Sequence, residues 1–439
     1  MLSKISKFPP LNLAYVGAVT PSHWDIKVID ENFDPFVFEP ADLVGITGFS
    51  SNITRAYEIA GIYRERGIKV VLGGIHASMA TEEAIQHADA VVVGEVEGVW
   101  ETVIQDFENN KLQSVYTGSR MDLSDFSILP RRDLLHPEYL WEPVQTSRGC
   151  PFNCSFCSVS RYMGQAYRQR KAEDVLAELK GLKGEYVAFV DDNLIGYNQQ
   201  SKERAQRLFK GMIREKLNKK WWMQTSINSA EDEETIKLAA KAGCMFVFIG
   251  FETISGETLR EMKKGINIKM GVDNYKKVVS LFHQYGIAVM GAFIIGNDHE
   301  SPSYYKKLAT FFRQSGIDIF QVSVLTPLPG TLLMKNIKNE DRLIYDHFPS
   351  DWDKYRFSYL VHKPAGVTPE TVYIGDNYLK KSLYAPLPFT IRMAKSYFRL
   401  NNKTNFFVAY KLNKALKKSW ENSHYYQKYP ATFQETTSL

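Results

Sequence analysis

Cysteine is scarce in this sequence, and long apolar runs are absent from it. Only four cysteines occur among 439 residues, which excludes a small scaffold held together by disulfides. No stretch reaches the roughly 18 consecutive apolar residues that cross a bilayer, and the longest candidate, Ile287 to Gly296, suits a buried strand. Pro9 and Pro10 stand where the apolar core of a signal peptide would begin. We therefore expect a cytoplasmic protein without a transmembrane helix.

A strong net charge is also lacking. The formal charge is +5, with 44% hydrophobic and 23% charged residues. This composition is typical of a folded enzyme-sized protein and is not basic enough to indicate nucleic-acid binding, so no nucleic-acid partner is expected. The length favours two or three domains, each with its own core.

Short β-branched runs alternate with helical patterns in the first part of the chain. The runs predict strands at 26–29, 43–46, 70–72 and 90–93, with helices at about 52–65 and 97–109. This alternation is typical of a parallel sheet covered on both faces, so residues 1–125 are predicted to form a doubly wound α/β domain. Residues 126–142 contain prolines and several charges and are interpreted as a linker.

A strand-and-helix unit repeats six times between residues 143 and 330. Apolar runs predict strands at 144–147, 186–190, 221–226, 245–251, 288–295 and 318–325, and the helical patterns between them have the length that parallel crossovers need. Six consecutive βα units indicate a partial (β/α)6 barrel. Residues 331–439 have weaker periodicity and are assigned to a mostly helical C-terminal region.

Three of the four cysteines stand close together just after the first barrel strand. Cys150, Cys154 and Cys157 have the spacing C-x3-C-x2-C, at the strand end where parallel barrels gather their active sites. Three thiolates can bind three irons of a four-iron, four-sulfur (4Fe–4S) cluster, which leaves one iron open to a chelating ligand. A zinc site completed by His or Asp is the alternative. Cys244, among apolar residues, is interpreted as a buried inert thiol.

The cysteine motif, with the aromatic Phe156 before its last cysteine, resembles the signature of the radical S-adenosylmethionine (SAM) superfamily. The six βα units match the partial barrel of that family. The resemblance implies that the three cysteines ligate the cluster and that SAM chelates the open iron. Reduction by an external donor such as a flavodoxin or ferredoxin would then cleave SAM to a 5′-deoxyadenosyl radical. An iron–sulfur electron-transfer protein, which needs no SAM, is the alternative.

The same resemblance implies further SAM-binding residues. Asp191, Asp192 and Asn193 stand where the superfamily holds the SAM amino group, although its common form there is Gly-Gly-Glu. A helix cap or turn is the alternative for these three. Gln224 and Ser226 end the third barrel strand and are expected to face the mouth of the barrel if the side chains alternate.

Two later strands carry weaker matches to the family. Glu252 follows the fourth strand, within a Phe-Glu-Thr segment that resembles the motif approaching the SAM ribose. Gly291 and Ile295 belong to a segment that resembles the one packing on adenine. A glycine-bearing apolar strand is also ordinary core, so these two matches leave that alternative open.

A doubly wound domain in front of such a barrel resembles the cobalamin-binding domain of one large radical SAM class. The motifs that carry the resemblance follow the family's order: Pro9-Pro10-Leu11 to Tyr15, Asp30-Glu31-Asn32, Gly73-Gly74-Ile75-His76 and Gly94-Glu95. The resemblance implies that the corrin or its tail is lined by Thr47, Gly73, Gly74, His76, Gly94 and Glu95. Glycines after a strand let such a ligand approach the backbone closely. A domain of this kind without a ligand is the alternative.

Two features depart from the family's pattern. The family's opening strand before the Pro-Pro segment is missing, so either the start is truncated or the sheet lacks an edge. No D-x-H-x-x-G motif occurs, so a histidine ligand to cobalt is not indicated, and His76 is interpreted as making ordinary hydrogen bonds. Many members of the class bind cobalamin without such a ligand.

The class implies methylation of an unactivated carbon through methylcobalamin. Members that form or contract rings exist too, so a cyclase or another rearranging enzyme with the same cofactors is the alternative. A methylthiotransferase is disfavoured, because it needs a second cysteine-ligated cluster and residues 1–149 contain no cysteine.

Acidic residues are absent from residues 377–420, where ten lysines and arginines interleave with aromatic and aliphatic residues. A basic amphipathic tail suits an anionic membrane surface, here the inner face of the membrane. A solvated helical face packed on the barrel and a contact with nucleic acid are the alternatives. Since some relatives in the class act on lipids such as hopanoids, a lipid or isoprenoid-like small molecule is the predicted substrate.

Overall fold

The computed structural model describes residues 8–423 and 428–433. The strands of the N-terminal domain are β1 Leu43–Thr47, β2 Lys69–Gly73, β3 Ala90–Gly94 and β4 Val115–Gly118. They form one parallel sheet in the spatial order β1-β2-β3-β4. The helices of this domain are α1 Leu11–Val19, α2 Ile53–Arg64, α3 Ile75–Met79, α4 Thr81–Ala84 and α5 Trp100–Glu108.

Helices cover both faces of this sheet, as the sequence predicts. Val70 and Leu72 of β2 pack beneath α2 and α3, whereas Val71 packs on the other face against α5. A strand that is apolar on both faces is what a sheet sandwiched between two helical layers requires.

The sequence prediction differs from the structure at two strands. The strand predicted at 26–29 is wrong, because this segment joins no ladder. The first strand of the sheet, β1, pairs only with β2, so no described strand lies beside 26–29 to complete its backbone hydrogen bonds. Strand β4 was not predicted, since its four residues give only a short apolar pattern.

The connection between the domains is packed against α1. Between β4 and residue 141 the only regular element is the short 3-10 helix Arg132–Leu134. Leu123 and Phe126 pack with Leu11 and Tyr15 of α1. The predicted linker, residues 126–142, therefore lies along the N-terminal domain over much of its length.

The barrel strands are β5 Glu142–Val144, β8 Tyr186–Phe189, β9 Lys220–Thr225, β10 Cys244–Glu252, β11 Ala288–Ile295 and β12 Ile319–Val324. They pair in parallel in that spatial order, as a partial barrel requires. A short antiparallel pair, β6 Ser147–Arg148 and β7 Arg168–Gln169, follows the first of them.

Eight helices of the described chain accompany these strands. They are α6 Val159–Tyr162, α7 Ala172–Gly181, α8 Gln199–Arg214, α9 Glu233–Lys241, α10 Gly256–Glu261, α11 Gly265–Met270, α12 Tyr275–Gln284 and α13 Pro302–Ser315. Local capping begins several of them. The Asn198 side chain accepts from the backbone N–H of Ser201 at the start of α8, and Asp232 accepts from Thr235 at the start of α9.

Large side chains fill the barrel interior near the amino-terminal ends of its strands. The rings of Trp222 and Phe246 stack there with centroids 5.3 Å apart, and Trp141 packs beside them. The outward faces of the strands pack against α7 to α9, α12 and α13 in the largest core. The carboxyl-terminal ends of the strands are therefore the end at which a ligand can enter.

The C-terminal region is mostly helical, with α14 Leu332–Asn339, α15 Pro369–Tyr384, α16 Pro386–Leu400 and α17 Lys403–Glu421. Helices α16 and α17 lie across the amino-terminal ends of the later barrel strands. Asn405 Nδ2 donates to the carbonyl oxygen of Gly286 at 2.8 Å, and Asn413 Nδ2 donates to that of Asp318 at 2.9 Å. In the part of the chain that the structure describes, no helix is both long and apolar enough to cross a bilayer.

Candidate active site

The three clustered cysteines lie in the loop that follows β6, near the carboxyl-terminal ends of the barrel strands, and none is in a disulfide. Gly149 determines the backbone conformation at the start of this loop. Its φ is +91°, and a Cβ at this position would lie 2.1 Å from the carbonyl oxygen of Ala166. Only glycine fits such a position. The next residue, Cys150, donates its backbone N–H to the carbonyl oxygen of Gly164 at 3.1 Å.

Backbone hydrogen bonds hold the middle of this cysteine loop. The N–H of Ser155 donates to the carbonyl oxygen of Met262 at 2.9 Å, and its own carbonyl accepts from the N–H of Leu333 at 2.8 Å. Met262 follows α10 and Leu333 lies in the first turn of α14. Because these contacts use backbone groups, they leave the thiols available for a metal.

Three free thiols in one loop match the ligand set of a 4Fe–4S cluster. Cys150, Cys154 and Cys157 are not in disulfides, and such a cluster can take three ligands from cysteines and leave one iron open. Within the described residues, these thiols do not form a compact single-ion site with a histidine or a carboxylate. The residues present therefore fit the cluster.

Burial keeps two of these thiols protonated in the absence of metal. Burial raises the pKa of Cys154 and raises the pKa of Cys157 to about 12. Iron binding would displace these protons, since the thiolate is the ligand form. The Tyr197 hydroxyl lies 3.3 Å from Cys150 Sγ and is the donor once that sulfur is a thiolate. No sequence motif marked Tyr197, which lies in the loop after β8.

Asp191 holds the cysteine loop to the barrel. Its Oδ1 accepts from the backbone N–H of Thr146 at 3.0 Å, from Thr146 Oγ1 at 2.9 Å and from the Ser147 hydroxyl. Its Oδ2 is buried and has no hydrogen-bond partner among the described residues. The side chain of Asp192, by contrast, is accessible from the barrel mouth. The protein atoms around it and the charge of Asp191 disfavour its ionised form and raise its pKa to about 7. Asp192 is thus the carboxylate that can accept from the N–H groups of an amine.

Asn193 connects the ends of two strands. Its Oδ1 accepts from the Gly196 N–H at 3.1 Å and from Thr225 Oγ1 at 3.2 Å, while its Nδ2 donates to Ser226 Oγ at 3.3 Å. Gln224 lies two residues after Trp222 on β9, so its side chain points to the same interior side. The structure therefore brings Asn193, Gln224 and Ser226 together at the barrel mouth.

Glu252, at the end of β10, forms an ion pair beside the cysteine loop. It has a φ of +63° and is buried, and its Oε1 lies 2.6 Å from Lys264 Nζ. The Lys264 ammonium also lies 5.9 Å from the centre of the Phe156 ring. Burial by itself lowers the pKa of Lys264, but the Glu252 carboxylate and the neighbouring cysteines raise it above its ordinary value. Sequence reasoning missed Lys264, because a single lysine in a short loop carries no pattern.

The structure does not direct the side chains of Gly291 or Ile295 into the barrel. A Cβ on Gly291 would meet Ile317 at 2.9 Å and Phe251 at 3.2 Å, which are both part of the outer core. Ile295 is buried in the same outer core. The alternating positions Ala292 and Ile294 face inward, so any contact of Gly291 or Ile295 with a ligand would use the backbone.

Small residues form a shallow edge where β1 and β2 of the N-terminal sheet end. Gly74 has a φ of +91°, and a Cβ there would lie 2.4 Å from Thr47 Oγ1. Gly73 is the last residue of β2, and the Phe49 side chain, 69% exposed, follows β1. The small side chains and one exposed aromatic ring leave room for a broad planar ligand such as a corrin. Bulky side chains at the strand ends would obstruct such a ligand.

His76 follows that edge in sequence, but its ring is buried and points to Ser50 and Glu83. Its Nδ1 is 2.9 Å from Ser50 Oγ and its Nε2 is 3.3 Å from Glu83 Oε1, and the ring is buried. Tyr57 and Trp352 donate to the same Glu83 carboxylate. Both ring nitrogens of His76 are therefore engaged in ordinary hydrogen bonds, and the structure does not bring this residue to the site.

Gly94 and Glu95, at the end of β3, join the two domains. The carbonyl oxygen of Gly94 accepts from the Tyr162 hydroxyl at 3.2 Å. Glu95 is buried, its Oε2 lies 2.9 Å from Arg148 Nη1, and its Oε1 accepts from Arg168. Both arginines belong to the small β6–β7 pair next to the cysteine loop. Sequence reasoning missed these arginines, although Arg148 stands two residues before the first clustered cysteine.

Two family models match the chain. The Radical SAM superfamily model matches residues 144–312, which contain the cysteine loop and most of the barrel. The B12 binding domain model matches residues 6–104, which contain β1 to β3 of the N-terminal domain.

Curated relatives combine the same two parts. Bacteriochlorophyllide d C-12(1)-methyltransferase of Chlorobaculum tepidum is 32% identical over 386 residues, which cover 84% of this chain and 81% of that protein. Hopanoid C-2 methylase of Rhodopseudomonas palustris is 28% identical over 77% of this chain and 66% of its own length. Anaerobic magnesium-protoporphyrin IX monomethyl ester cyclase of Cereibacter sphaeroides is 25% identical over 86% of this chain and 68% of its own length.

Solved structures share the fold. The methyltransferase TsrM from Kitasatospora setae, solved with cobalamin and a [4Fe-4S] cluster bound, superposes with a TM-score of 0.69 at 16% identity, covering 93% of this chain and 97% of that one. The cobalamin-dependent enzyme OxsB, with aqua-cobalamin bound, gives 0.61 at 15% identity, over 84% of this chain and 64% of that one. The chain therefore belongs to the cobalamin-dependent class of the radical SAM superfamily, whose cofactors are a 4Fe–4S cluster, SAM and cobalamin.

Proposed function

We propose that this enzyme transfers a methyl group to an unactivated carbon of a lipid or isoprenoid-like substrate. The observation that carries the proposal is the buried contact of Glu95 with Arg148 and Arg168. This contact ties the strand edge that would hold cobalamin to the loop that would hold the cluster. A methyl group can be delivered to a substrate radical only if both cofactors reach the same carbon.

The barrel would bind the cluster and SAM, and the N-terminal domain would bind cobalamin. When bound, the cluster and SAM supply a radical that abstracts hydrogen, and cobalamin supplies the methyl group. Cys150, Cys154 and Cys157 would hold the cluster, and Asp192 would accept from the SAM amino group. Because Thr47, Gly73 and Gly74 are small, the corrin could approach the backbone closely at the ends of β1 and β2. The substrate would enter between the two domains, at the carboxyl-terminal ends of the barrel strands.

The names of the relatives support a large, mostly apolar substrate. The Chlorobaculum tepidum relative acts on a bacteriochlorophyllide and the Rhodopseudomonas palustris relative on a hopanoid. An apolar molecule of that kind suits the exposed Phe49 ring, which stands at the proposed corrin edge. The electron for SAM cleavage would come from an external donor such as a flavodoxin or ferredoxin. The enzyme would work in the cytoplasm, in peripheral contact with the membrane through residues 377–420.

A cyclase or another rearranging enzyme with the same cofactors is the second candidate. The Cereibacter sphaeroides cyclase aligns with 86% of this chain, so its reaction type is compatible with the same two domains. The two candidates differ in what happens to the methyl group of SAM. A methyltransferase consumes one SAM as methyl donor and a second as radical source, whereas a cyclase needs only the radical.

The test uses the full chain, reconstituted anaerobically with iron, sulfide and hydroxocobalamin and then desalted. We expect four irons and one cobalt per chain, as implied by one cluster and one corrin. Incubation with methyl-deuterated SAM, reductant and an apolar extract should give 5′-deoxyadenosine, S-adenosylhomocysteine and a deuteromethylated product. The variant Cys154→Ala should lose all three products. 5′-Deoxyadenosine without methyl transfer would favour the cyclase, and loss of cobalt on desalting would overturn the methylation mechanism.

A further inference from the structure

One face of α16 carries an apolar stripe that is open to solvent. Leu387, Ile391, Ala394 and Phe398 are all exposed, Leu387 to 70% and Phe398 to 79%. At about 100° per residue, the four positions fall within roughly 60° of the helix circumference. The opposite face contains the buried residues of this helix, Met393, Ser396 and Leu400.

Buried hydrogen bonds fix this orientation of α16. Arg392 Nη1 donates to the carbonyl oxygen of Asp318 at 2.6 Å, and the Ser396 hydroxyl donates to the Asp318 carboxylate. His283 Nε2 lies 2.8 Å from the same carboxylate. Since Asp318 directly precedes β12, these contacts hold α16 against the barrel, and the apolar stripe must face outward.

The segment that carries the stripe is rich in cations and contains no acidic residue. Residues 377–420 contain ten lysines and arginines and no aspartate or glutamate. Two of the lysines are paired, Lys380 with Asp376 at 2.6 Å and Lys417 with Glu421 at 3.6 Å. The exposed cations nearest to the stripe in sequence are Lys395, Arg399 and Lys403.

A shallow cavity lies at one flank of α16, beside Arg399. It has a volume of about 410 Å³ and lies between α12, the end of α13 and α16. Its lining includes Lys276, His283, Gln314 and Arg399 and contains no acidic residue. The exposed side chains of Lys276 and Arg399 can contact a phosphate group at this flank.

We propose that the α16 stripe (Leu387, Ile391, Ala394 and Phe398) docks on a bilayer that contains anionic phospholipids, with Arg399 and Lys276 directed to lipid phosphates. The stripe would enter the headgroup and acyl boundary, while the flanking cations meet the anionic headgroups. A second copy of the chain fits this face less well, because a two-fold contact would bring cations opposite cations. This inference rests on the peripheral contact proposed above and not on the methylation chemistry.

The docking face lies at the opposite end of the barrel from the cofactor site. Helix α16 contacts the chain just before β12, whereas the cysteine loop lies at the carboxyl-terminal ends of the strands. The eight residues of β11 alone span about 26 Å at roughly 3.3 Å per residue. Docking therefore holds the enzyme at the membrane with the cofactor site facing away from the bilayer.

The test is vesicle flotation of the reconstituted full chain. The vesicles contain phosphatidylcholine alone or phosphatidylcholine with phosphatidylglycerol. We expect binding only with phosphatidylglycerol, and a loss of at least about tenfold in the double variant Leu387→Gln, Phe398→Ser. The pair Lys276→Gln and Arg399→Gln should weaken binding and reduce its salt dependence.

Two control variants test whether any loss of an exposed apolar side chain or of a surface cation weakens vesicle binding. Leu129→Gln removes an exposed apolar side chain of the linker, and Lys241→Gln removes an exposed cation of α9. Both should float like the parent, and all variants should keep the parent's iron content and SAM cleavage. Binding that survives the double variant, or no binding to either vesicle, would overturn the proposal. Concentration-dependent dimers that the double variant abolishes would assign the face to a second copy instead.

Discussion

Arg148 and Glu95 form an ion pair buried between the two domains, with 2.9 Å between Nη1 and Oε2. Arg148 directly precedes Gly149 and the cysteine loop, and Glu95 directly follows β3. Arg148 also pairs with Glu97, and Arg168 pairs with Glu95 from the neighbouring strand β7. One network thus joins the end of β3, beside the proposed corrin edge, to the cluster loop, so we expect the relative position of these two segments to depend on these side chains.

Glu95→Gln should weaken the interface between the domains. The substitution keeps the shape of the side chain but leaves Arg148 and Arg168 without their shared carboxylate. Breaking a buried ion pair costs about 3–5 kcal/mol, so the free energy of unfolding should fall by that order. The variant should also retain less cobalt after desalting, while its iron content stays normal. Thermal unfolding measures the loss of stability, and metal analysis measures cobalt and iron. Glu234→Gln, which removes an exposed pair with Lys237, should change neither quantity.

The same carboxylate should make stability sensitive to acid. Burial by itself raises the pKa of Glu95, but Arg168 and Arg148 outweigh it and lower the pKa below its ordinary value. A lowered folded-state pKa gives stability that is present above the unfolded value, about 4.3, and is lost as pH falls through the folded value. Urea unfolding between about pH 3 and pH 7 should show a shallower acid loss for Glu95→Gln than for the parent. Identical pH profiles would contradict this role of Glu95.

Gly149→Ala should abolish cluster assembly without unfolding the barrel. The added Cβ would lie 2.1 Å from the Ala166 carbonyl oxygen, at a φ of +91° that alanine rarely adopts. The loop would have to move, and the three thiols would lose their common geometry. Iron per chain after reconstitution should fall by at least about tenfold, with little change in far-UV circular dichroism. Gly181→Ala is the matched control, because no atom lies within 4 Å of a Cβ at that position.

The cluster site and the barrel could be predicted because both leave a local pattern in the sequence. The cysteine spacing is contained in eight residues, and the six barrel strands are short apolar runs separated by helical periods. The strand predicted at 26–29 failed for a non-local reason, since a strand needs a neighbour and none of the described strands lies beside it. Local pattern alone cannot supply that information.

The contacts that organise the site could not be predicted, because they join distant segments. Arg148 and Glu95 are 53 residues apart, and Lys264 and Glu252 are related only through the fold. His76 is a second example of what a sequence motif does not show. The residues beside it match the family's motif, but its ring points to Ser50 and Glu83. A residue can therefore stand next to a motif in the sequence without its side chain pointing into the site.

Lys264→Met should make the cluster harder to reduce. The Lys264 ammonium is half-buried beside Phe156 and the cysteine loop, where its charge favours the more negative, reduced cluster. Its removal should lower the midpoint potential by on the order of tens of millivolts, measured by a redox titration followed by electron paramagnetic resonance. Glu252→Gln should shift the potential in the opposite direction, because it leaves the ammonium without its carboxylate. Shifts of the same sign in both variants would exclude an electrostatic cause.

Asp192 should make SAM binding depend on pH near neutrality. Desolvation and the charge of Asp191 raise its pKa to about 7, so the carboxyl is partly protonated at neutral pH in the absence of SAM. Only the ionised form accepts strongly from the N–H groups of the SAM amine, so affinity should rise with pH through this range. To chelate iron, the SAM amine must also lose its own proton, with an ordinary pKa of about 7.7–8.0, so part of the rise is independent of Asp192. Calorimetric titration of the iron-loaded enzyme with SAM should show the rise, whereas Asp192→Asn should bind about tenfold more weakly, with a smaller rise near pH 7. Asp191→Asn should instead disturb iron loading, because Asp191 holds Thr146 and Ser147 at the entrance to the cysteine loop. If Asp192→Asn kept both the affinity and the pH profile of the parent, the SAM amino group would have to be bound elsewhere.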